Sequence, residues 1–129
     1  MHHSVGAVIE KNGKYLLIDR DMEPLGFAGI AGHIDAGESP EETLVRKIRE
    51  ESGLVLKGFK LLYEEEVPWN RCRVGIDAHY WHLYQCQIEG DIQNNPEAAK
   101  SIGWYTPSQM KELTMEPVWK YWFGKLGVL

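Results

Sequence analysis

Two apolar-rich runs open the chain, Ser4–Glu10 and Tyr15–Arg20, separated by Lys11-Asn12-Gly13-Lys14. Asn and Gly tolerate the positive φ that a two-residue hairpin turn demands, so this pattern predicts paired antiparallel strands. Residues 21–38 lose all periodicity, and Pro24, Gly26, Gly29, Gly32 and Gly37 predict irregular backbone there. At Ser39 the pattern turns helical. Ser39 can cap, Pro40 suits the first helical position and Glu42 can close a capping box. The helix is expected to run to Ser52, with Gly53 as a left-handed stop and Leu44, Val45 and Ile48 facing the core.

Leu56–Val67 and Arg73–Glu89 read as long strands, rich in β-branched and aromatic residues. Gly90–Pro96 is a polar loop and Ser101–Tyr105 a short strand. Thr106-Pro107-Ser108-Gln109 repeats the capping grammar and opens a short helix towards Leu113. Pro117–Leu126 places Trp119, Trp122, Phe123 and Leu126 at helical spacing, a stripe expected to pack on a sheet. Strands and helices in this order predict an α+β or α/β sandwich, a mixed sheet covered by helices.

The 129 residues suit one domain spanning 1–129, and 43% apolar content suffices for a core. Lys and Arg number 14 against 19 Asp and Glu, a net charge of −5 that argues against a nucleic-acid polymer as partner. An anionic small substrate stays open if a local cation offsets the repulsion. No apolar run reaches the roughly 20 residues of a membrane span, and the start carries no secretion-signal pattern, so a cytoplasmic location is expected. Cys72 and Cys86 are too few for a disulfide scaffold and are read as free thiols.

The chemistry concentrates between Gly32 and Leu54. A glycine-containing loop leads into a helix whose last turns carry Lys47, Glu50 and Glu51 on one side, beside the Leu44/Ile48 stripe. Adjacent carboxylates at a helix C-terminus oppose its dipole and call for a compensating cation. Oxygen ligands gathered this way suit Mg²⁺ or Mn²⁺; the plain alternative is a solvated acidic face paired with Arg46 and Arg49.

Gly32, Glu38, Arg46, Ile48, Glu50, Glu51, Gly53 and Leu54 fall on the spacing of the Nudix hydrolase signature. The segment therefore resembles that superfamily, and the hairpin before it and long strands after it extend the likeness over nearly the whole chain. The resemblance implies an α/β/α sandwich that cleaves a diphosphate linkage in a nucleotide or nucleoside diphosphate derivative. By the same resemblance Glu50 and Glu51 are metal ligands, and Glu38 is a ligand or part of the water network. Arg46 orients a carboxylate, and the Ala31 carbonyl and Glu97 are further ligands. The implied cofactor is Mg²⁺ or Mn²⁺ and the implied partner a small phosphoanhydride, with a homodimer left open. Such an ion neutralises the pyrophosphate and acidifies water for attack.

Lys47 is the departure, standing where the signature has Glu. An ammonium about 4 Å from a carboxylate gains roughly 4 kcal/mol at an effective dielectric near 20. Lys47 is thus expected to act as a built-in cation that lowers metal affinity, unless its long side chain swings out to water. The competing reading is a degenerate domain that binds a nucleotide or metabolite, or a protein partner, without turnover. Substitute bases considered are His79, His82, Glu64 to Glu66 and Glu97. His79 and His82 lie three apart on a strand and face opposite sides, so they cannot share one site. Trp69 is the aromatic most expected to be exposed, and His33 is expected to touch phosphate or to make a loop hydrogen bond.

Overall fold

A computed structural model describes residues 2–69 and 79–129. The element order is β1 (His2–Lys11), β2 (Lys14–Arg20), β3 (Gly26–Ala28), β4 (Ile30–His33), α1 (Pro40–Ser52) and β5 (Val55–Val67). β6 (His79–Glu89), β7 (Ala99–Tyr105), α2 (Pro107–Met110) and α3 (Pro117–Lys125) complete it. Asn12 and Gly13 take φ values of 53° and 77°, the positive pair that turns β1 into β2.

Strands β4, β1, β6 and β5 form one group, with β1 and β6 parallel and the other pairs antiparallel. Strands β7, β2 and β3 form a second antiparallel group, joined to the first through the β1–β2 hairpin. Helices cover both faces. Tyr84 of β6 bonds Glu41 of α1, whereas Trp81, three residues earlier and so on the opposite face, packs against Trp119 of α3. The result is an α+β fold, a mixed sheet between helices.

Ser39 Oγ accepts from the Glu42 N–H while Glu42 reaches back to the Ser39 N–H, and Gly53 at φ 75° closes α1. Leu44 and Ile48 are fully buried as expected, but Val45 is 49% exposed. The buried stripe instead runs through Thr43, Leu44, Ile48, Glu51 and Ser52, rotated one residue away from Val45.

The 21–38 segment is not wholly irregular, since it contains β3 and β4. Gly29 and Gly32 within it are there for close approach. A Cβ on Gly29 would lie 2.5 Å from the Trp119 indole, and one on Gly32 would lie 2.5 Å from Lys47 Cε. β7 starts two residues earlier than the pattern indicated, and α2 stops at Met110 rather than continuing to Leu113. Cys86 is buried and free, its thiol pushed up to about 12 by burial. Cys72, Asn70 and the Arg73–Ala78 start of the expected long strand lie outside the described residues. Among the described residues no helix is long and apolar enough to cross a membrane.

Candidate active site

The C-terminal half of α1, the β4 edge and three loops enclose a cleft of about 590 Å³. Ala31, Lys47, Glu50, Glu51 and Glu97 all line it. The 90–98 loop is tied to the end of α1, since Gln93 N–H donates to Ser52 O and Asn95 Nδ2 to Glu50 O. Asn95 Oδ1 then accepts from the Glu97 N–H at 3.1 Å, which brings Glu97 to the cleft from a distant part of the chain.

Glu51 is 7% exposed and its carboxyl is raised by burial, an effect the Lys47 ammonium opposes. Its Oε2 has no hydrogen-bond partner among the described residues, although Lys47 Nζ stands 3.5 Å away at ion-pair distance. The same ammonium lies 3.6 Å from Glu50 Oε2. Lys47 reaches this position because its stem runs across Gly32, where any side chain would displace it. Its head points inward to both carboxylates, not outward to water. A buried carboxylate oxygen without a donor fits a cation. The donor set of Glu50, Glu51, Glu97 and the Ala31 carbonyl is all oxygen, which fits Mg²⁺ or Mn²⁺. The Lys47 ammonium stands against two of those carboxylates.

Glu38 is held elsewhere. Arg46 clamps it through two bonds of 2.8 Å, and Thr43 Oγ1 donates to it at 2.9 Å. The Arg46 guanidinium, first among its partners, lowers the Glu38 carboxyl to about 2. Arg46 also reaches Glu50 at 3.3 Å and Asp35 at 3.1 Å, so it ties the loop before α1 to the carboxylates of its last turns. Glu38 is not among the residues that line the cleft, and its carboxylate is bonded to Arg46 and Thr43.

Two further groups line the cleft, Arg20 and Glu116, and His2 stands beside it next to His33 and His79. Glu116 occupies the N-cap position of α3 without capping it. Its carboxyl is buried, lies 3.6 Å from Arg20 Nε, and is raised to about 7 by burial despite that cation. The signal was slight, an acidic residue before Pro117 that reads as an ordinary cap. His33 and His79 come together with Nε2 atoms 3.2 Å apart. Burial first, and then His2, His79 and the Lys47 and Arg20 cations, lower His33 to about 4. His82 turns the other way, to Glu64 at 3.4 Å, as the strand spacing required. Glu65 binds Tyr121 and Lys125. Trp69 is exposed and packs edge-on against Tyr121.

Comparison with known proteins gives this arrangement a context. A family model described as NUDIX domain matches residues 1–123. The chain is 44% identical over 61 residues to an ADP-ribose pyrophosphatase of Methanocaldococcus jannaschii, a match that takes in 46% of this chain but only 36% of that protein. It is 29% identical over 120 residues to the CTP pyrophosphohydrolase of Escherichia coli, covering 88% of this chain and 82% of the relative. A crystal structure of a MutT NUDIX hydrolase from Burkholderia pseudomallei superposes with a TM-score of 0.74 at 24% identity, over 84% of each chain.

Proposed function

This chain belongs to the NUDIX domain family, and from that premise we propose that it hydrolyses a diphosphate linkage in a nucleotide or nucleoside diphosphate derivative. The observation that carries this reading is the buried Oε2 of Glu51, without a hydrogen-bond donor among the described residues, in a cleft also lined by Glu50, Glu97 and Ala31. Those residues would hold Mg²⁺ or Mn²⁺, which when bound supplies charge neutralisation and an acidified water. The chain's own groups do the rest. Arg46 fixes Glu50, Arg20 offers the cleft a cation, and Lys47 is placed to meet a phosphate oxygen once it leaves Glu51. The named activities of the relatives, on ADP-ribose and on CTP, suggest the substrate class to test first.

A second reading, binding without turnover, is favoured by one observation: the Lys47 ammonium already pairs with both carboxylates. That attraction, stronger at the buried Glu51 than at the solvent-screened Glu50, must be given up before an ion can enter. One experiment separates the two. Product formation, a nucleoside monophosphate with pyrophosphate or a sugar phosphate, is followed by chromatography over nucleoside triphosphates, ADP-ribose and nucleotide sugars with Mg²⁺ or Mn²⁺, for wild type and Lys47→Glu, beside calorimetric metal titration. Turnover by wild type supports hydrolysis. Turnover only in Lys47→Glu, with metal affinity raised at least tenfold, supports binding, as does ligand-induced thermal stabilisation without product. Equal, tight metal binding by both proteins rejects the competing role of Lys47. No product and no stabilisation with either protein rejects both readings.

A further inference from the structure

The strands beside the cleft carry a different donor set. His2 pairs with His79 across the parallel β1–β6 ladder, and His33 pairs with Ser4, two residues along β1 on the same face as His2. Three imidazoles from three neighbouring strands therefore converge at one end of the sheet. One ring nitrogen from each lies within 4.8 Å of the others. The ring centroids are 4.4 Å apart for His2 and His33, 5.3 Å for His33 and His79, and 5.5 Å for His2 and His79.

We propose that His2, His33 and His79 form a site for a borderline transition-metal dication, Zn²⁺ in the first instance, separate from the carboxylates of α1. Two nitrogens each roughly 2.0–2.1 Å from a tetrahedral zinc stand about 3.3 Å from one another. The His33 and His79 Nε2 atoms already stand 3.2 Å apart. Imidazole donors select zinc, copper, nickel or iron, whereas Mg²⁺ prefers oxygen. His79 is almost fully buried and anchors the group, while His33 keeps its exposure. With three protein ligands the fourth position opens to the cleft, the arrangement of zinc sites that accept water or an anionic oxygen. The Lys47 and Arg20 cations both act on His33, and with no ion on α1 Lys47 stands against Glu50 and Glu51 and Arg20 against Glu116.

Binding is independent of turnover, so the test reads metal alone. Wild type is titrated with Zn²⁺, and with Co²⁺ followed by its visible absorption, beside His2→Ala, His33→Ala, His3→Ala and Glu50→Gln. His3 points to the other face, against Tyr80 and His82, and serves as the control for chelation by a neighbouring histidine. One tightly held Zn²⁺ per chain, tetrahedral Co²⁺ bands and no displacement by excess Mg²⁺ are expected. Losing a direct ligand should cost more than the roughly 10–100-fold attached to outer partners, so His2→Ala and His33→Ala weaken binding by at least a hundredfold. His3→Ala and Glu50→Gln bind as wild type, and Zn²⁺ raises the melting temperature of these two but not of His2→Ala. Absence of Co²⁺ bands, or unchanged affinity in both His2→Ala and His33→Ala, overturns the site and leaves a histidine pair sharing one hydrogen bond. Affinity lost in Glu50→Gln, or in His3→Ala alone, assigns the ion elsewhere and also overturns it.

Discussion

Glu116 shows how one residue's surroundings set its chemistry. A Glu before a helix is ordinarily a solvated cap, but here it is buried and its carboxyl rises from 4.5 to about 7. Burial is the larger effect and Arg20, 3.6 Å away, opposes it. The native state therefore holds a proton that the unfolded chain releases. Below pH 4.5 both states are protonated and the group contributes nothing. Between about 4.5 and 7 native stability falls as pH rises, by about 3 kcal/mol in total. Glu116→Gln has no such proton to lose. The difference in urea midpoint between the two proteins should grow in favour of Glu116→Gln from pH 5 to pH 8. Parallel pH profiles would show that Glu116 is ionised throughout. Glu51 and Glu116 are both buried acids of the same cleft, yet only Glu51 was legible in the sequence. Glu51 sits in a spaced motif on one helix; Glu116 meets Arg20 only through folding of the distant ends.

At the scale of elements, α1 was legible because its limits are local. Ser39, Pro40 and Glu42 satisfy the first N–H groups, and Gly53 takes the one left-handed position at the end. Ser39→Ala removes the bond from the Glu42 N–H and should cost about 1 kcal/mol in chemical denaturation. Lys47, Glu50 and Glu51 lie at the other end of the helix, so metal titration of that variant should match wild type. A shift in metal affinity would mean that the cap also sets the position of the acidic turns. The buried side of α1 was harder to read. Periodicity places Leu44, Val45 and Ile48 within one arc, but the sheet decides which edge of that arc is covered, and it covers Thr43 instead of Val45. β4 was missed for a related reason. Ile30–His33 is held by pairing with Ser4–Ala7, a register that no local pattern records. The histidine wall depends on that register and on the β1–β6 pairing, which is why His2 was invisible as a partner of His33.

Across the whole molecule, the glycine-containing segment before α1 is where the two helical layers close on the sheet. Lys47 from α1 crosses Gly32, and Trp119 from α3 lies against Gly29. Glycine at 29 thus answers a packing demand made from ninety residues away, which composition alone registers only as a broken pattern. A Cβ there would come within 2.5 to 2.9 Å of three indole atoms. Trp119 cannot give way freely, because it is fully buried with Phe123 at 5.5 Å and Trp81 at 6.2 Å between ring centroids. Gly29→Ala should therefore destabilise the fold by about 1–3 kcal/mol, the usual cost of overpacking. The measurement is a double-mutant cycle in urea with Trp119→Phe. The smaller ring relieves the clash, so the pair should lose less than the sum of the single variants, with a coupling of at least about 0.5 kcal/mol. Additive losses would mean that Gly29 is required by its own backbone and not by the indole. A positive coupling would tie the cleft wall that carries Ala31 and His33 mechanically to α3, so that changes in the last helix reach the site through the sheet.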